Sequence, residues 1–316
     1  METVSVVIPA YNAAQWLSET IESVLAQSLP PFEVIVVDDG STDNTQEVLA
    51  RFRGMIDVIS QENKGLPTAR NVGIRAAKGS LIAFLDADDI WLPEKLSRQV
   101  ECFEQNPDVA LIHTALTRFR GTETVPAIEG QERFVGNCYA EFFVDRPGVV
   151  IPSTIMVRAN PIREIGYFDE SLNMSEDVDF CLRMARHHRF IFLASPLVLK
   201  RLHSTNLSSH IYKIPSANLF MYEKAISEDP KIFDVVDRKL LIDHLAKLAC
   251  DAAYWAHKKN DKAAARRYLV KSLRYSPLER KSWILLVWTV LPDFARAILT
   301  HYRRRLKGIA EADLSD

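Results

Sequence analysis

Strand and helix patterns alternate through the first hundred residues of this chain of 316 residues. Apolar, β-rich runs predict four strands, over residues 4–9, 32–37, 55–60 and 81–86. Apolar residues at helical spacing, or runs of small residues, predict a helix in each gap. Strands joined by helical crossovers pair in parallel, with right-handed connections. The pattern predicts an α/β fold: a Rossmann-like, mostly parallel sheet flanked by helices, with a ligand crevice at the carboxyl edge of its strands.

Acidic clusters follow the second and the fourth predicted strand. Residues 38–43 read Asp-Asp-Gly-Ser-Thr-Asp, and residues 86–89 read Asp-Ala-Asp-Asp. Like charges this close repel one another unless a cation neutralises them. Mg²⁺ and Mn²⁺ suit such a cluster, because they bind one or two carboxylates and complete their shells with water and phosphate oxygens. The second cluster indicates a metal that holds a diphosphate, with a simple acidic turn before a helix as the alternative.

The composition excludes several classes of protein. Charged residues make up 25% and hydrophobic residues 47% of the chain, as in ordinary globular proteins. The formal net charge of −2 argues against a nucleic-acid partner. The four cysteines form no Cys-x-x-Cys pair, so neither a zinc ribbon nor a disulfide framework is expected. The first strand begins without a preceding basic and apolar signal segment, which predicts a cytoplasmic protein.

Five short motifs occur in order in the first part of the chain. They are Val-Ser-Val-Val-Ile-Pro-Ala-Tyr-Asn (4–12), Asp-Asp-Gly-Ser-Thr-Asp (38–43), Asn-Lys-Gly (63–65), Ala-Arg-Asn-Val-Gly-Ile (69–74) and Asp-Ala-Asp-Asp (86–89). Over residues 4–205 their order and spacing resemble family 2 glycosyltransferases, which have the GT-A nucleotide-diphospho-sugar transferase fold. The resemblance implies an inverting enzyme that moves a sugar from a nucleotide diphosphate, usually a UDP-sugar, to a hydroxyl of a saccharide or lipid-linked acceptor. Such enzymes build bacterial cell-surface polysaccharides and glycoconjugates.

The resemblance also implies a set of donor-binding residues. In it, Asp39 accepts a hydrogen bond from the base ring, whereas Asp38 braces the loop. Lys64 and Arg70 match positions near the base and the phosphates. The alternative is that both are exposed cations that contact only water. The implied donor-binding residues are Pro9, Ala10, Tyr11, Asn12, Asp39, Lys64, Arg70, Asp86 and Ala87.

A divalent metal, Mn²⁺ or Mg²⁺, is the cofactor that the resemblance implies. Asp88 would contact the metal directly, and Asp86 would contact the ribose or a water bound to the metal. His203 matches a histidine that joins this site in several related enzymes, with a polar loop residue as the alternative; a histidine ligand favours Mn²⁺. The metal would neutralise the departing diphosphate. Asp89 is expected to be structural.

An inverting transfer needs a general base to take the proton of the acceptor hydroxyl. Residues 175–180 read Ser-Glu-Asp-Val-Asp-Phe and open a predicted helix, so their acids lie in its first turn. The resemblance implies that Asp177 is the base and that Glu176 orients the acceptor or supports the base, with Asp179 as the second candidate. Acids in a first turn also complement the helix dipole, and this is the structural alternative.

The sequence predicts a domain boundary near residue 215. Residues 1–215 would form the GT-A domain, with nucleotide-sugar binding in 1–100 and acceptor binding and catalysis in 101–215. Residues 216–316 have a helical pattern throughout and predict an all-α extension.

The last predicted helix combines an apolar run with basic residues. Residues 283–291 are apolar except for one threonine but are too short to span a bilayer. Residues 280–307 contain seven Lys and Arg against Asp293 alone. This pattern suits a segment that lies in a membrane interface, at the inner face of the plasma membrane, where a lipid-linked acceptor would be available. Burial against the core or in a homo-oligomer is the alternative.

Other classes of protein make different demands on the sequence. A sugar-nucleotide pyrophosphorylase would need a glycine-rich, arginine-containing loop after the first strand, where this chain has Pro-Ala-Tyr-Asn. A catalytically inactive nucleotide-sugar-binding or scaffold homologue should lack the Asp-x-Asp pair or the Glu-Asp pair, and both are present. A protein whose helical part serves mainly for interaction would bind without turnover.

Overall fold

The computed structural model describes residues 2–125, 131–144, 150–172, 174–204, 206 and 212–291. The chain divides into two compact units: residues 1–210 with 221–236, and residues 211–220 with 237–316. The boundary predicted near residue 215 lies inside a helix, Ile214–Glu228, and the second half of this helix belongs to the first unit.

A mixed sheet forms the centre of the first unit. Its strands are β1 (Val4–Ala10), β2 (Glu33–Asp38), β3 (Asp57–Ser60), β4 (Leu81–Phe84), β5 (Ile90–Trp91), β6 (Val109–Arg120), β7 (Glu123–Val125), β8 (Ile155–Arg158) and β9 (Arg189–Arg201). The strand order is β3-β2-β1-β4-β8-β6-β9-β5, with β7 paired to β6. The first four strands are mutually parallel, as predicted, whereas β8 is antiparallel to both β4 and β6.

Helices connect the strands and form most of the second unit. They are α1 (Leu17–Leu25), α2 (Thr45–Ala50), α3 (Leu66–Ala76), α4 (Lys95–Gln105), α5 (Glu141–Val144), α6 (Ala159–Ile165), α7 (Glu176–His187), α8 (Ile214–Glu228), α9 (Arg238–Lys258), α10 (Lys262–Tyr275) and α11 (Arg280–Val290). The predicted α/β class and the helical C-terminal region are confirmed.

Burial on both faces explains why β1 reads as one apolar run. All seven of its residues are buried, with β2 and β4 on either side. Helix α3 packs closely on it: a Cβ atom on Gly73 would lie 2.3 Å from Cγ1 of Val7. The absence of a side chain at Gly73 therefore allows this close approach of the helix to the strand.

The parallel register places several loops at one edge of the sheet. Ala10 pairs with Asp38, and the backbone N–H of Asp39 donates to the carbonyl of Ala10 (2.8 Å). The next residue after β4, Leu85, donates to the carbonyl of Val7 (3.0 Å). The chain segments that follow β1, β2 and β4 therefore leave the sheet side by side.

The second unit is built from capped helices. The carboxylates of Asp237 and Asp261 accept backbone N–H bonds at the starts of α9 and α10. The hydroxyl of Ser272 on α10 donates to the carbonyl of Ala246 (2.7 Å) and lies 2.8 Å from the hydroxyl of Ser282 on α11. These contacts join the three helices. In the described part of the chain, no helix has the length and apolar character needed to cross a membrane.

Candidate active site

Side chains tie together the loops that follow β1 and β2. Asn12 has a left-handed backbone (φ 49°), and its Oδ1 accepts the backbone N–H of Thr42 (2.8 Å). Its own N–H donates to the hydroxyl of Ser41 (2.9 Å). Tyr11, beside it, is exposed at this edge, while Pro9 and Ala10 end the buried strand. The first four implied donor-binding residues, Pro9 to Asn12, therefore lie where β1 reaches the carboxyl edge of the sheet.

Asp39 is buried and holds the loop that follows β3. Its carboxylate accepts the backbone N–H groups of Lys64 (2.9 Å) and Gly65 (2.8 Å) and the side-chain amide of Gln61 (2.6 Å). The carboxylate retains acceptor capacity, because two oxygens offer about four lone-pair sites. The side chain of Lys64 itself is exposed.

Asp38 braces the neighbouring turn, as predicted for it. Its carboxylate accepts the N–H of Ser41 (3.1 Å) and the amide of Gln46. Gly40 between these residues has φ +74°, and a Cβ atom there would lie 2.7 Å from the backbone nitrogen of Asn63. Asp38 and Asp39 therefore both act as braces, although the sequence assigned bracing only to Asp38.

Arg70 is 1% exposed and bridges two acids that are far apart in the sequence. Its Nη2 donates to Oδ1 of Asp86 (2.8 Å), and its Nη1 donates to Oε1 of Glu176 (2.6 Å). Burial lowers the pKa of Arg70, but Asp86 and Glu176 outweigh this effect and raise it above its usual range. The alternative of a cation exposed to water is therefore wrong for Arg70.

Lys200 is a second cation beside these acids, and no motif in the sequence identifies it. Its Nζ lies 3.8 Å from Oδ2 of Asp89 in the buried part of the site. Burial lowers the pKa of Lys200, but Asp89, Asp86 and Asp88 raise it more strongly. For Asp86 the two effects have the opposite signs: burial raises its pKa, but the charges of Arg70 and Lys200 outweigh burial and hold the pKa below its usual range.

Asp88 and His203 are in contact, which links β4 to the segment that follows β9. Nε2 of His203 lies 2.9 Å from Oδ2 of Asp88, and the amide of Asn206 donates to the same oxygen (2.9 Å). The indole of Trp16 stacks on the His203 ring, with centroids 5.5 Å apart. Asn206 and Trp16 were not identified from the sequence.

The side chains of Asp88 and His203 suit a metal cation that completes its coordination shell with substrate atoms. Among the described residues, no group of three or more His, Cys, Asp or Glu side chains is placed to hold a metal. Mg²⁺ and Mn²⁺ need fewer protein ligands than that, because phosphate oxygens and water complete their shells. Carboxylate and imidazole are ligands that Mn²⁺ accepts. The residues present therefore fit the implied metal.

Asp89 has a structural environment, as expected. Its buried carboxylate accepts the hydroxyl of Ser153 (2.6 Å) and the backbone N–H of Arg201 (3.0 Å). Ser153 in turn accepts the N–H of Asp86 (3.2 Å). The carbonyl of Ala87, a predicted donor-binding residue, accepts the hydroxyl of Thr20 on α1 (3.0 Å). These bonds fix the backbone of the Asp-Ala-Asp-Asp segment.

The acids at the start of α7 have three different environments. Helix α7 begins after Ser175, whose left-handed backbone (φ +66°) is strained for a residue with a side chain. Glu176 is held by Arg70, and Asp179 is paired with Arg183 (2.7 Å). Asp177 is half-buried, and its carboxylate accepts the N–H of Val178 (2.8 Å).

Burial and the neighbouring Glu176 carboxylate raise the pKa of Asp177 to about 7. A carboxyl group with a pKa near neutrality can both take up and release a proton under physiological conditions. Asp179, the second candidate, is instead committed to an ion pair within its own helix. Asp177 is therefore the acid of the three that lies outside these two ion pairs and has a pKa near neutrality.

This sheet, with acids grouped at the carboxyl ends of β2 and β4 and at the start of α7, is that of a GT-A nucleotide-diphospho-sugar transferase fold. Residues 5–161 match the model of glycosyl transferase family 2, and the chain belongs to this family. The match ends before Glu176, so it does not include the acids of α7.

Known proteins support this assignment. Glycosyltransferase GlyG of Streptococcus pneumoniae serotype 4 is 28% identical over 255 residues, which are 76% of this chain and 80% of that protein. An uncharacterized glycosyltransferase of Nostoc sp., alr2836, is 46% identical over 114 residues, which are 35% of this chain and 35% of that protein. For several of these relatives, the match spans only 25 to 66% of their own length.

Two solved structures share the fold at low identity. S. aureus TarS 1–349 in complex with UDP-GlcNAc is 19% identical, with a TM-score of 0.63 over 86% of this chain and 81% of that chain. The mannosyltransferase PcManGT from Pyrobaculum calidifontis, in complex with GDP-Man and Mn²⁺, is 17% identical, with a TM-score of 0.56 over 92% of this chain and 88% of that chain.

Proposed function

We propose that this protein is an inverting, metal-dependent glycosyltransferase that moves a hexose-type sugar from a UDP-sugar to an acceptor hydroxyl. The observation that carries the proposal is the Arg70 bridge between Asp86 and Glu176. This bridge brings the acid that follows β4 and the acids that open α7 into one site, although the two segments are 90 positions apart in the sequence. The pathway would be the synthesis of a cell-surface polysaccharide or glycoconjugate, in the cytoplasm.

The donor would bind across the ends of β1 and β2. Tyr11 and Asn12 would contact the base and ribose, and Asp39 would use its remaining acceptor capacity for the base N–H. The UDP-GlcNAc complex of TarS supports a UDP-sugar as the donor. Asp86 and Ala87 would contact the ribose, and the exposed side chain of Lys64 would reach the phosphates.

Asp88 and His203 would hold Mn²⁺ or Mg²⁺, with Asp86 reaching it directly or through water. A cation here, when bound, neutralises the charge that develops on the departing diphosphate. Lys200 adds a positive charge from the protein side of the same cluster. The Mn²⁺ complex of PcManGT supports a divalent metal in this fold.

Asp177 would act as the general base and Glu176 as its support. The carboxylate of Asp177 would take the proton of the acceptor hydroxyl as that oxygen attacks the sugar, on the face opposite the diphosphate. Arg70 would be a positioning residue, because it fixes Glu176 without needing to touch the substrate. Specificity for the acceptor would depend on residues 101–215, the part of the GT-A domain in which acceptor binding is expected.

Donor hydrolysis tests this function. Purified protein is incubated with UDP-, GDP- and dTDP-sugars in Mn²⁺, Mg²⁺ or EDTA, and the released nucleoside diphosphate is measured. We expect slow, metal-dependent release from one UDP-sugar. Asp88→Asn should lose metal-dependent UDP binding in calorimetry, whereas Asp177→Asn should keep that binding and lose transfer.

The same samples distinguish the alternatives. UDP and Mn²⁺ binding without any turnover, with acceptors present, would identify an inactive nucleotide-sugar-binding homologue. Absence of binding would refute the site assignment. Equal loss of donor binding in both variants would refute the separate roles given to Asp88 and Asp177.

A further inference from the structure

Charge is distributed unevenly along the chain. Residues 237–316 contain 17 Lys and Arg against 9 Asp and Glu, a formal charge of +8, whereas residues 1–236 contain 22 against 32, a charge of −10. Residues 237–291, which include helices α9 to α11, contribute 12 basic and 5 acidic side chains, or +7. Such asymmetry is typical of a protein whose basic part binds an anionic partner.

Helix α11 exposes apolar side chains instead of burying them. Trp283, Ile284 and Val287 are 51%, 65% and 53% exposed, and their spacing places them on one side of the helix. On the other side, the polar residues Ser282 and Thr289 are buried. This is the reverse of the usual amphipathic arrangement, in which the apolar stripe faces the core. A contiguous exposed apolar surface of this kind marks an interaction site.

A shallow, open surface groove of about 380 Å³ lies beside the start of this helix, within the same unit. Its lining includes the cations Arg238 and Lys239, one acid, Asp243, and the apolar side chains of Pro277 and Leu278. Leu278 is 89% exposed. The indole N–H of Trp283 donates to the carbonyl of Pro277 (2.8 Å), which links the exposed face of α11 to the lining of this groove.

We propose that the C-terminal helical unit binds the surface of an anionic lipid bilayer. The docking surface consists of Trp283, Ile284 and Val287 on α11, together with Leu278. These side chains enter the interfacial layer, while Arg280 and Lys281, both exposed on the first turn of α11, contact lipid phosphates.

Charge decides between this partner and two others. A symmetric dimer formed through this surface would bring two strongly positive units together, whereas an anionic bilayer neutralises the same charge. Nucleic acid would satisfy the basic residues, but it would leave the aliphatic side chains Ile284 and Val287 without a partner. A bilayer interface accommodates both the cations and the apolar side chains.

Vesicle binding by the full chain tests the proposal. Co-sedimentation is measured with vesicles of phosphatidylcholine alone and of an equimolar mixture with phosphatidylglycerol, at low and high salt. We expect binding to the anionic vesicles only, weakened by salt. Ile284→Glu should reduce the association constant for anionic vesicles by about tenfold or more. The variant places a charge in the apolar layer and removes aliphatic surface that the bilayer would otherwise bury.

Val270→Glu is the matched control, since Val270 is an exposed aliphatic residue of α10 in the same unit and the change of charge is identical. It should bind nearly as the wild type does. Thermal unfolding checks that both variants remain folded. Failure to bind anionic vesicles, or equal losses in the two variants, would overturn the proposal, as would a self-association in size-exclusion chromatography that Ile284→Glu abolishes. The result does not depend on the donor, the metal or turnover, so it stands apart from the catalytic proposal.

Discussion

Replacement of Arg70 should destabilise the fold more strongly than any other single charge removal in α3. Arg70→Met keeps much of the side-chain volume but leaves the carboxylates of Asp86 and Glu176, with 24% and 9% of their side chains exposed, without their shared cation. Removal of one partner from a buried ion pair costs about 3–5 kcal/mol, because the remaining charge is no longer compensated. In a domain of this size, that corresponds to a fall of ~6 °C or more in melting temperature.

Arg75 supplies a matched control on the same helix. It is half exposed, and its Nη2 lies 3.8 Å from the carboxylate of Glu170, so Arg75→Met removes an exposed pair. Such pairs contribute about 0–1 kcal/mol. Urea unfolding of both variants, monitored by circular dichroism at neutral pH, measures the difference. If Arg70→Met changed the free energy of unfolding no more than Arg75→Met does, the bridge would not carry the stability assigned to it.

The pH dependence of this effect gives a second test. Despite its burial, Asp86 has a lowered pKa because of Arg70 and Lys200. A carboxyl group with a depressed pKa stabilises the native state above its unfolded pKa of about 4, and this stabilisation is lost as the pH falls through the native value. The gap between wild type and Arg70→Met should therefore be widest near neutral pH and narrow in acid. A gap that is constant with pH would mean that the loss comes from packing.

Three further changes test other parts of the site. The raised pKa of Asp177, about 7, predicts that transfer rises with pH through an apparent pKa near 7. The stability of Asp177→Asn relative to the wild type should also increase as the pH rises from about 4 to about 7 and then level off, because in that window the unfolded wild type has released this proton and the native wild type has not. A stability difference independent of pH would contradict this. His203→Ala should weaken Mn²⁺-dependent UDP binding in calorimetry without weakening UDP binding in EDTA, and equal losses in both conditions would exclude a metal role. Gly40→Ala should lower the free energy of unfolding more than Gly54→Ala does. Both glycines have a positive φ, which costs an alanine about 1 kcal/mol or more of strain, but only at Gly40 would the new Cβ meet a backbone nitrogen, that of Asn63, at 2.7 Å.

The parallel half of the sheet could be predicted from the sequence because its strands are buried on both faces. Each reads as a short apolar run, and short crossovers determine which strands become neighbours. The other half could not be predicted in the same way. β8 is inserted antiparallel between β4 and β6, and β5 pairs with β9, about 110 positions later. No local pattern in the sequence specifies such pairings.

Individual residues of the site were predictable only where a motif identified them. The contact between Asp88 and His203 follows from the resemblance, and the structure shows the two side chains 2.9 Å apart. The direction of the Arg70 side chain was not predictable, because helical spacing indicates a face and not the acids that it meets. Lys200 was missed for a similar reason: one lysine in a strand carries no signal until the three-dimensional fold places it beside Asp89.

In the loops that follow β1, β2 and β3, the residues that hold the backbone in place differ from those that a ligand would touch. Asp38 and Asp39 are buried and use their carboxylates on neighbouring backbone groups, whereas the side chains of Tyr11, after β1, and Lys64, after β3, are exposed to solvent. Substitution of either exposed side chain leaves both carboxylate braces in place. If the exposed pair contacts the donor, as proposed, a lineage that carries this scaffold can change its donor by a few surface substitutions that cost little folding stability, and selection on specificity is then largely freed from selection on stability.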